Sequence, residues 1–339
     1  MSMAETLVIV LVKCVALLVL LLTGFAYMTW VERKVVARIQ VRYGPNRVGP
    51  FGLMQPVADG LKLLFKEDIM PAQADRLTYI LAPAISLIAA LMAFAVITIG
   101  PAVNLFGREV TLNLADVNVG VLYVLAMASM GVYGIILGGW STNNKYSFLG
   151  GLRSAAQVIS YELSLGLSLV GVLLITGSLR PLDIVQAQGG YWLGFVPRWF
   201  VFLQPVGAAL FMICAIADVN RAPFDLPEAD TELVAGYHTD YSSIKFALFF
   251  MAEYVNMITM SALTVTLFFG GWQGPILPPA LWFSLKVLVF LFCFVWLRAT
   301  LPRLRYDRLM GLGWKVLLPL ALANVFATAL AMALKEMYF

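Results

Sequence analysis

The groups in this chain best equipped for chemistry are carboxylates in places where carboxylates are costly. Between positions 217 and 241 the sequence reads ADVNRAPFDLPEADTELVAGYHTDY, which places Asp218, Asp225, Glu228, Asp230, Glu232 and Asp240 together in a chain only 12% charged. Two more acids, Glu162 in QVISYELSLG and Glu253 in LFFMAEYVNM, interrupt long apolar runs. An ionisable group inside hydrocarbon costs on the order of 2.5 to 3.5 kcal/mol on insertion scales, so it marks a pathway or a buried partner. Carboxylates crowded into a poorly hydrated site have raised, mutually dependent pKa values, which suits them to hold and pass protons near neutral pH. The bland alternative is a solvated acidic loop whose carboxylates favour a helix N-terminus. The acids in the neighbouring apolar runs favour a proton or cation site. Pro227 as a first helical residue and Gly236 as a C-cap predict a short helix over about 227–235. On it Asp225, Glu228 and Glu232 project from one side.

The elements that position these acids follow from composition. The chain is 61% apolar with a mean hydropathy of +0.87, against the roughly 45 to 50% apolar of soluble domains. The fold class is therefore an all-α polytopic membrane protein, a single integral membrane domain over 1–339. The first apolar run lacks a small-residue cleavage site and is read as a span, not a removed signal. Cys14, Cys214 and Cys293 fall alone in separate apolar runs and offer neither a disulfide framework nor a cluster motif. The single histidine, His238, excludes a bis-histidine haem, and no glycine-rich phosphate loop or nucleic-acid motif is present. Any redox chemistry must draw electrons from a partner protein.

About eight runs are long enough to cross a bilayer, near 6–30, 78–100, 118–140, 156–176, 199–217, 244–269, 280–298 and 313–334. Run seven contains Lys286. Most Lys and Arg residues fall in the odd-numbered loops, 31–77, 141–155, 218–243 and 299–312, which puts those loops in the cytoplasm and both termini outside. With the fourth span beginning near Ser154, Glu162 lies about two turns, roughly 12 Å, into the membrane. Its polar neighbours Gln157, Ser160, Tyr161 and Ser164 suggest a hydrated interior. The first loop is basic through Arg33, Lys34, Arg38, Arg42 and Arg47, a pattern that orients a span and binds anionic lipid. It then reads MQPVADGLKLLFK, a short amphipathic helix with Met54, Val57, Ala58, Leu61, Leu64 and Phe65 on one face and Asp59, Lys62 and Lys66 on the other. Such a helix is too short to span and suits the membrane interface.

Four stretches carry a resemblance: VERKVVARIQVRYGPNRVGPFGLMQPVADGLKLLFKE, DVNRAPFDLPEADTELVAGYHTDY, ALFFMAEYVNM and WLRATLPRLRYDRLMGLGWK. Together they resemble the family of H subunits of bacterial NADH-quinone oxidoreductase, the quinone-chamber membrane subunits of respiratory complex I. The resemblance implies one component of a translocating oxidoreductase with no complete active site of its own, in the bacterial inner membrane. It implies quinone as substrate, no cofactor on this chain, and iron–sulfur clusters and FMN in partner subunits. The implied partners are the hydrophilic quinone-site subunits, the small membrane subunits and membrane lipid. It assigns Glu32, Arg33, Arg42, Asp59, Lys62, Phe224, Arg298 and Arg303 to a quinone tunnel. To the start of a proton path it assigns Glu162, Asp218, Glu228, Asp230, Glu232, Asp240 and Glu253. Asp230 and Asp240 stand where the family usually has Glu, which shortens each side chain by one methylene. A stand-alone cation/proton antiporter or a purely structural anchor for a peripheral oxidoreductase are the alternatives. The antiporter reading expects paired repeats with broken helices, and no repeat is evident. The anchor reading leaves Glu162 and Glu253 without a role.

Overall fold

In hydrocarbon every backbone N–H and C=O must be paired within its own segment, so the apolar runs become helices. The computed structural model describes residues 3–105, 108–192, 196–227, 230–275 and 277–338. In chain order its helices are α1 (Met3–Ile39), α2 (Gln55–Phe65), α3 (Arg76–Phe94), α4 (Gly120–Ser141), α5 (Lys145–Thr176), α6 (Pro181–Ala187), α7 (Phe200–Leu203), α8 (Pro205–Asp218), α9 (Asp230–Leu233), α10 (Ser243–Phe268), α11 (Pro279–Thr300), α12 (Tyr306–Leu312) and α13 (Leu318–Tyr338). A π turn over Gly313–Leu317 joins α12 to α13. Two small antiparallel hairpins pair Val103–Leu105 with Arg108–Val110 and Tyr191–Trp192 with Val196–Pro197.

Among the described residues seven helices are long and apolar enough to cross a membrane. The run near 199–217 departs from the pattern. Gln204 adopts φ −128°, ψ 56° and Pro205 follows it, which splits the run into a single turn and the 14-residue α8. At 1.5 Å per residue α8 reaches about 21 Å, less than the roughly 30 Å of hydrocarbon. The break is tied to α13, since Gln204 Nε2 donates to Thr328 Oγ1 at 2.7 Å and Asn324 Nδ2 donates to Gln204 Oε1 at 3.0 Å.

Three further expectations change. α1 runs on to Ile39, so Glu32, Arg33, Lys34 and Arg38 sit on a helix and not in a loop. α5 begins at Lys145, capped by the Asn144 side chain accepting from Tyr146 N at 3.1 Å. Glu162 is therefore about 25 Å along its helix instead of two turns from the start. Of the helix expected over 227–235 the described residues show one turn, Asp230–Leu233, followed by a 3₁₀ turn over Gly236–His238. Asp225 precedes it and Glu232 lies on it, so the two do not share a helix face.

α10 is the hub, with 56% of its apolar window buried, whereas α1 has 6% buried and presents its apolar surface outward. α3 and α4 approach closely because Gly134 has no side chain: a Cβ there would collide with Ser86 Oγ and lie 2.6 Å from the Ala82 carbonyl. Gly134→Leu is expected to overpack this contact and cost about 1–3 kcal/mol, read as a lower thermal midpoint of the detergent-extracted protein. An unchanged midpoint would mean that α3 and α4 do not pack this way.

Candidate functional site

The site is built by a piece of irregular backbone drawn in among the helices. α8 stops at Asp218 and the chain turns through Asn220, whose φ is +55°. Arg221, Phe224, Asp225 and Leu226 are then buried. Non-helical carbonyls at this depth need side-chain donors. Gln157 on α5 supplies them, its Nε2 lying 2.8 Å from Ala217 O, 2.8 Å from Phe224 O and 3.1 Å from Asn220 Oδ1. Leu304 N donates to Pro223 O at 3.0 Å, and the Tyr161 ring packs 5.5 Å from the Phe224 ring. Gln157 is thus bonded to backbone, which replaces the expectation that it lines a hydrated interior.

This seating carries Arg221 into the middle of the acids. Arg221 Nε lies 2.7 Å from Glu253 Oε1 and Nη1 lies 3.4 Å from Glu32 Oε1. Its guanidinium sits 4.4 Å from the centroid of the Tyr254 ring. Tyr254 Oη donates to Glu32 Oε2 at 2.7 Å, and Arg298 closes on the other Glu32 oxygen. Beside this group Arg303 Nη2 lies 2.8 Å from Asp225 Oδ2. Three carboxylates therefore face three guanidinium groups in a largely buried, charge-balanced cluster. Burial drives the Asp225 carboxyl up, Arg303, Arg298 and Arg221 pull it back, and it remains above the usual carboxylate range. It therefore exchanges protons closer to neutrality than a surface aspartate.

A second group of acids lies deeper. Ser129 Oγ on α4 donates to Glu162 Oε1 on α5 at 2.6 Å. Asp218 and Glu253 share a cavity of about 40 Å³, also lined by Ser86, Asn220, Tyr237 and Asn256. That volume admits water, and its polar lining supplies the hydrogen-bond partners water needs. Glu162 also interacts electrostatically with Asp218. The cluster and the deeper acids meet at Glu253, which touches Arg221 on one side and the cavity on the other.

The remaining sequence-predicted residues divide by location. Arg33 Nη1 on α1 lies 2.6 Å from Asp59 Oδ2 on α2, and Lys62 Nζ lies 3.9 Å from Asp59 Oδ1. Arg42 borders an open basin of about 720 Å³ with Arg33, Tyr43, Arg47 and Gln55. Glu232 stays at the surface and pairs with Arg153 at 2.6 Å. Asp240 accepts from Asn144 Nδ2 at 3.0 Å, and its carbonyl accepts from Tyr79 Oη at 2.9 Å. These contacts, with the Tyr79–Tyr241 ring stack at 4.3 Å, make it a docking point for the start of α5. Burial pushes the Tyr241 hydroxyl up to about 12, so it stays a protonated hydrogen-bonding group. Glu228 and the Asp230 side chain lie outside the described residues. Among the described residues the acids of the 217–241 stretch thus do not form one cluster: Asp218 and Asp225 turn inward, while Glu232 and Asp240 tie the segment to α5 and its cap.

Sequence reading missed Arg221, Tyr254 and the bonding role of Gln157. Arg221 is the one cation in the acidic 217–241 stretch and is followed by Ala-Pro-Phe, a signal that this charge travels inward with apolar neighbours. Arg221→Ala is expected to cost about 3–5 kcal/mol by leaving Glu253 and Glu32 buried and uncompensated, seen as loss of the folded protein from membranes. Arg221→Met combined with Glu253→Gln is expected to recover much of that loss. Equal losses in the two variants would refute the pairing.

A family model described as NADH dehydrogenase matches residues 12–329. A protein of Thermomicrobium roseum, named as the H subunit of NADH-quinone oxidoreductase, is 60% identical over 317 residues, covering 93% of each chain. A Geobacter metallireducens protein, named as an H subunit of the same enzyme, is 54% identical over 96% of this chain and 97% of its own. The H subunit of Deinococcus deserti is 56% identical over 96% of this chain and 84% of its own.

Proposed function

The chain belongs to the family of NADH-quinone oxidoreductase H subunits, and we propose that in the assembled enzyme it walls the membrane part of the quinone chamber and begins the proton path that couples quinone reduction to ion translocation. It is a multi-pass membrane subunit of an oxidoreductase, and its partners are the other subunits of that complex. In this reading the electron carriers, FMN and iron–sulfur clusters, belong to those partners and quinone is the shared substrate. The membrane is the bacterial inner membrane, with the broken run of α7 and α8 making an eighth crossing that leaves both termini outside, and with membrane lipid along the apolar surface of α1.

The observation that carries the reading is the pair of adjacent residues Glu32 and Arg33. Arg33 pairs with Asp59 on α2, while Glu32 pairs with Arg221 and Arg298. One turn of α1 therefore touches both groups of charges. We assign Arg33, Arg42, Asp59 and Lys62, with Phe224, Arg298 and Arg303, to the chamber wall, and Glu32 to the link between chamber and interior. Reducing a quinone to a quinol consumes two electrons and two protons and passes through anionic species. Negative charge appearing beside Arg298 and Arg33 competes with Glu32 and Asp59 for these cations. As Glu32 loses Arg298, its hold on Arg221 strengthens and that of Glu253 weakens. Weaker pairing favours the protonated form of Glu253, which draws a proton through the Asp218 cavity. Glu162, held by Ser129, continues the path toward partner subunits. Asp225 is the acid held between the Arg303 side of this arrangement and the interior. Glu228 and Asp230 are proposed with Asp218 as the acids nearest the proton source, and Glu232 and Asp240 set the segment's position through Arg153 and Asn144.

The test is Glu253→Gln in the intact enzyme. Quinone reduction coupled to proton uptake is expected to fall roughly 10²-fold, the scale of losing a positioned proton-transfer group, while NADH oxidation with a soluble electron acceptor stays unchanged. Full pumping in a fully assembled Glu253→Gln enzyme would refute the path. Full turnover with reduced assembly would make the chain an anchor.

A further inference from the structure

One buried charge lies far from the acids and takes no part in the mechanism above. Lys286, two turns into α11, is only 8% exposed. Its Nζ donates to three backbone carbonyls, Phe269 at 2.6 Å, Gly271 at 2.9 Å and Gln273 at 2.8 Å. The Trp199 and Trp282 rings stand 4.6 Å and 5.7 Å from the same atom. Among the described residues it has no carboxylate partner. An ammonium has three N–H donors and a neutral amine has two, so the three carbonyls fit the charged form. Aromatic faces also attract a cation. The arrangement is a monovalent-cation site filled by the chain's own tethered ammonium.

The cage is firmly built. Gly270 and Gly271 adopt φ +71° and +53°, and a Cβ would lie 2.7 Å from the Trp199 ring at the first and 2.6 Å from Val185 Cγ2 at the second. The buried Gln188 side chain accepts from Phe200 N at 3.2 Å and Gly270 N at 2.9 Å, and donates to Thr266 O at 2.9 Å. Gln273 Nε2 adds a bond to Val185 O at 2.7 Å. These contacts join the ends of α6, α7, α10 and α11. Phe269 is the C-cap of α10, the helix that carries Glu253. Sixteen residues separate the two, about 24 Å, so the cage closes the end of the bundle opposite the acidic segment.

We propose that Lys286 is an electrostatic plug: its fixed positive charge closes that end of the bundle to protons, so that protons taken up at the acidic end cannot cross beside α10. This rests on the reading that protons move along Glu162, Asp218 and Glu253. Fixed positive charges exclude protons from other membrane passages in the same way.

The experiment uses the whole enzyme in sealed proteoliposomes and follows passive proton flux after an imposed pH step, without NADH, and acidification per NADH oxidised. Lys286→Gln keeps amide donors for two of the three carbonyls and removes the charge, while Lys286→Arg keeps the charge. The glutamine variant is expected to oxidise NADH within about twofold of the parent and to leak protons roughly tenfold faster, the effect of a unit charge acting over about 12 Å at an effective dielectric of about 20. The arginine variant is expected to stay tight. A fully assembled glutamine variant as tight as the parent overturns the plug, as does an arginine variant as leaky as the glutamine one. Glu162→Gln separates this from the path reading. If it alone abolishes driven acidification while Lys286→Gln stays tight, the plug fails and the path stands. If the Lys286→Gln leak persists in the double variant, the plug stands and the path through Glu162 fails.

Discussion

A guanidinium cannot be buried without carboxylates beside it, and the interior of this protein is arranged around that requirement at Arg221. Removing one partner of a buried ion pair typically costs more than the intact pair contributes, so Glu32, Glu253 and Arg221 persist or fail together. To bring Arg221 in, the chain after α8 gives up helical pairing, and Gln157 and Leu304 N take over the freed carbonyls. The result ties α1, α5, α8, α10 and α11 to one short segment. That is an expensive construction for a structural joint, since a well-packed apolar segment would hold the same helices at lower cost. It is better suited to a site where charge balance is the variable that carries information.

The proposed coupling uses that balance. A charge-neutral cluster changes state most readily when one charge is added at its edge, because each pair must then redistribute. In that proposal Arg298 and Arg303 belong to the chamber wall, and Glu253 borders the cavity it shares with Asp218. The opposite end of α10 has the reverse character, with a single ammonium held by carbonyls and indole rings and, among the described residues, no carboxylate partner. One helix thus carries an acid of the proposed path in its first half and, just beyond its last turn, the carbonyls that hold the ammonium of α11.

Much of the architecture was legible because hydrophobic length is a one-dimensional property. The apolar runs, the amphipathic α2 and the isolation of Glu162 and Glu253 all follow from local sequence. The break at Gln204–Pro205 was not read because a run's mean hydropathy does not register one proline. The early start of α5 and the late end of α1 were missed because charged residues at a membrane border look like loop although they continue a helix. Within the site, composition located the acids but not their directions. In the sequence Glu232 and Asp240 are carboxylates like Asp218 and Asp225, and only contacts with Arg153 and Asn144, 79 and 96 residues away in the chain, hold them outward. Arg221 escaped notice for the same reason, since its partners Glu32 and Glu253 lie on separate helices.

The most direct test of the central claim is redox-induced infrared difference spectroscopy of carboxyl groups in the intact enzyme as its bound quinone is reduced. A protonation signal from buried carboxylic acids is expected in the parent protein. That signal is expected to vanish in Glu32→Gln, which keeps the shape of the link and removes its charge. The same signal in parent and variant would show that charge reaches the inner carboxylates without passing through Glu32 and Arg221.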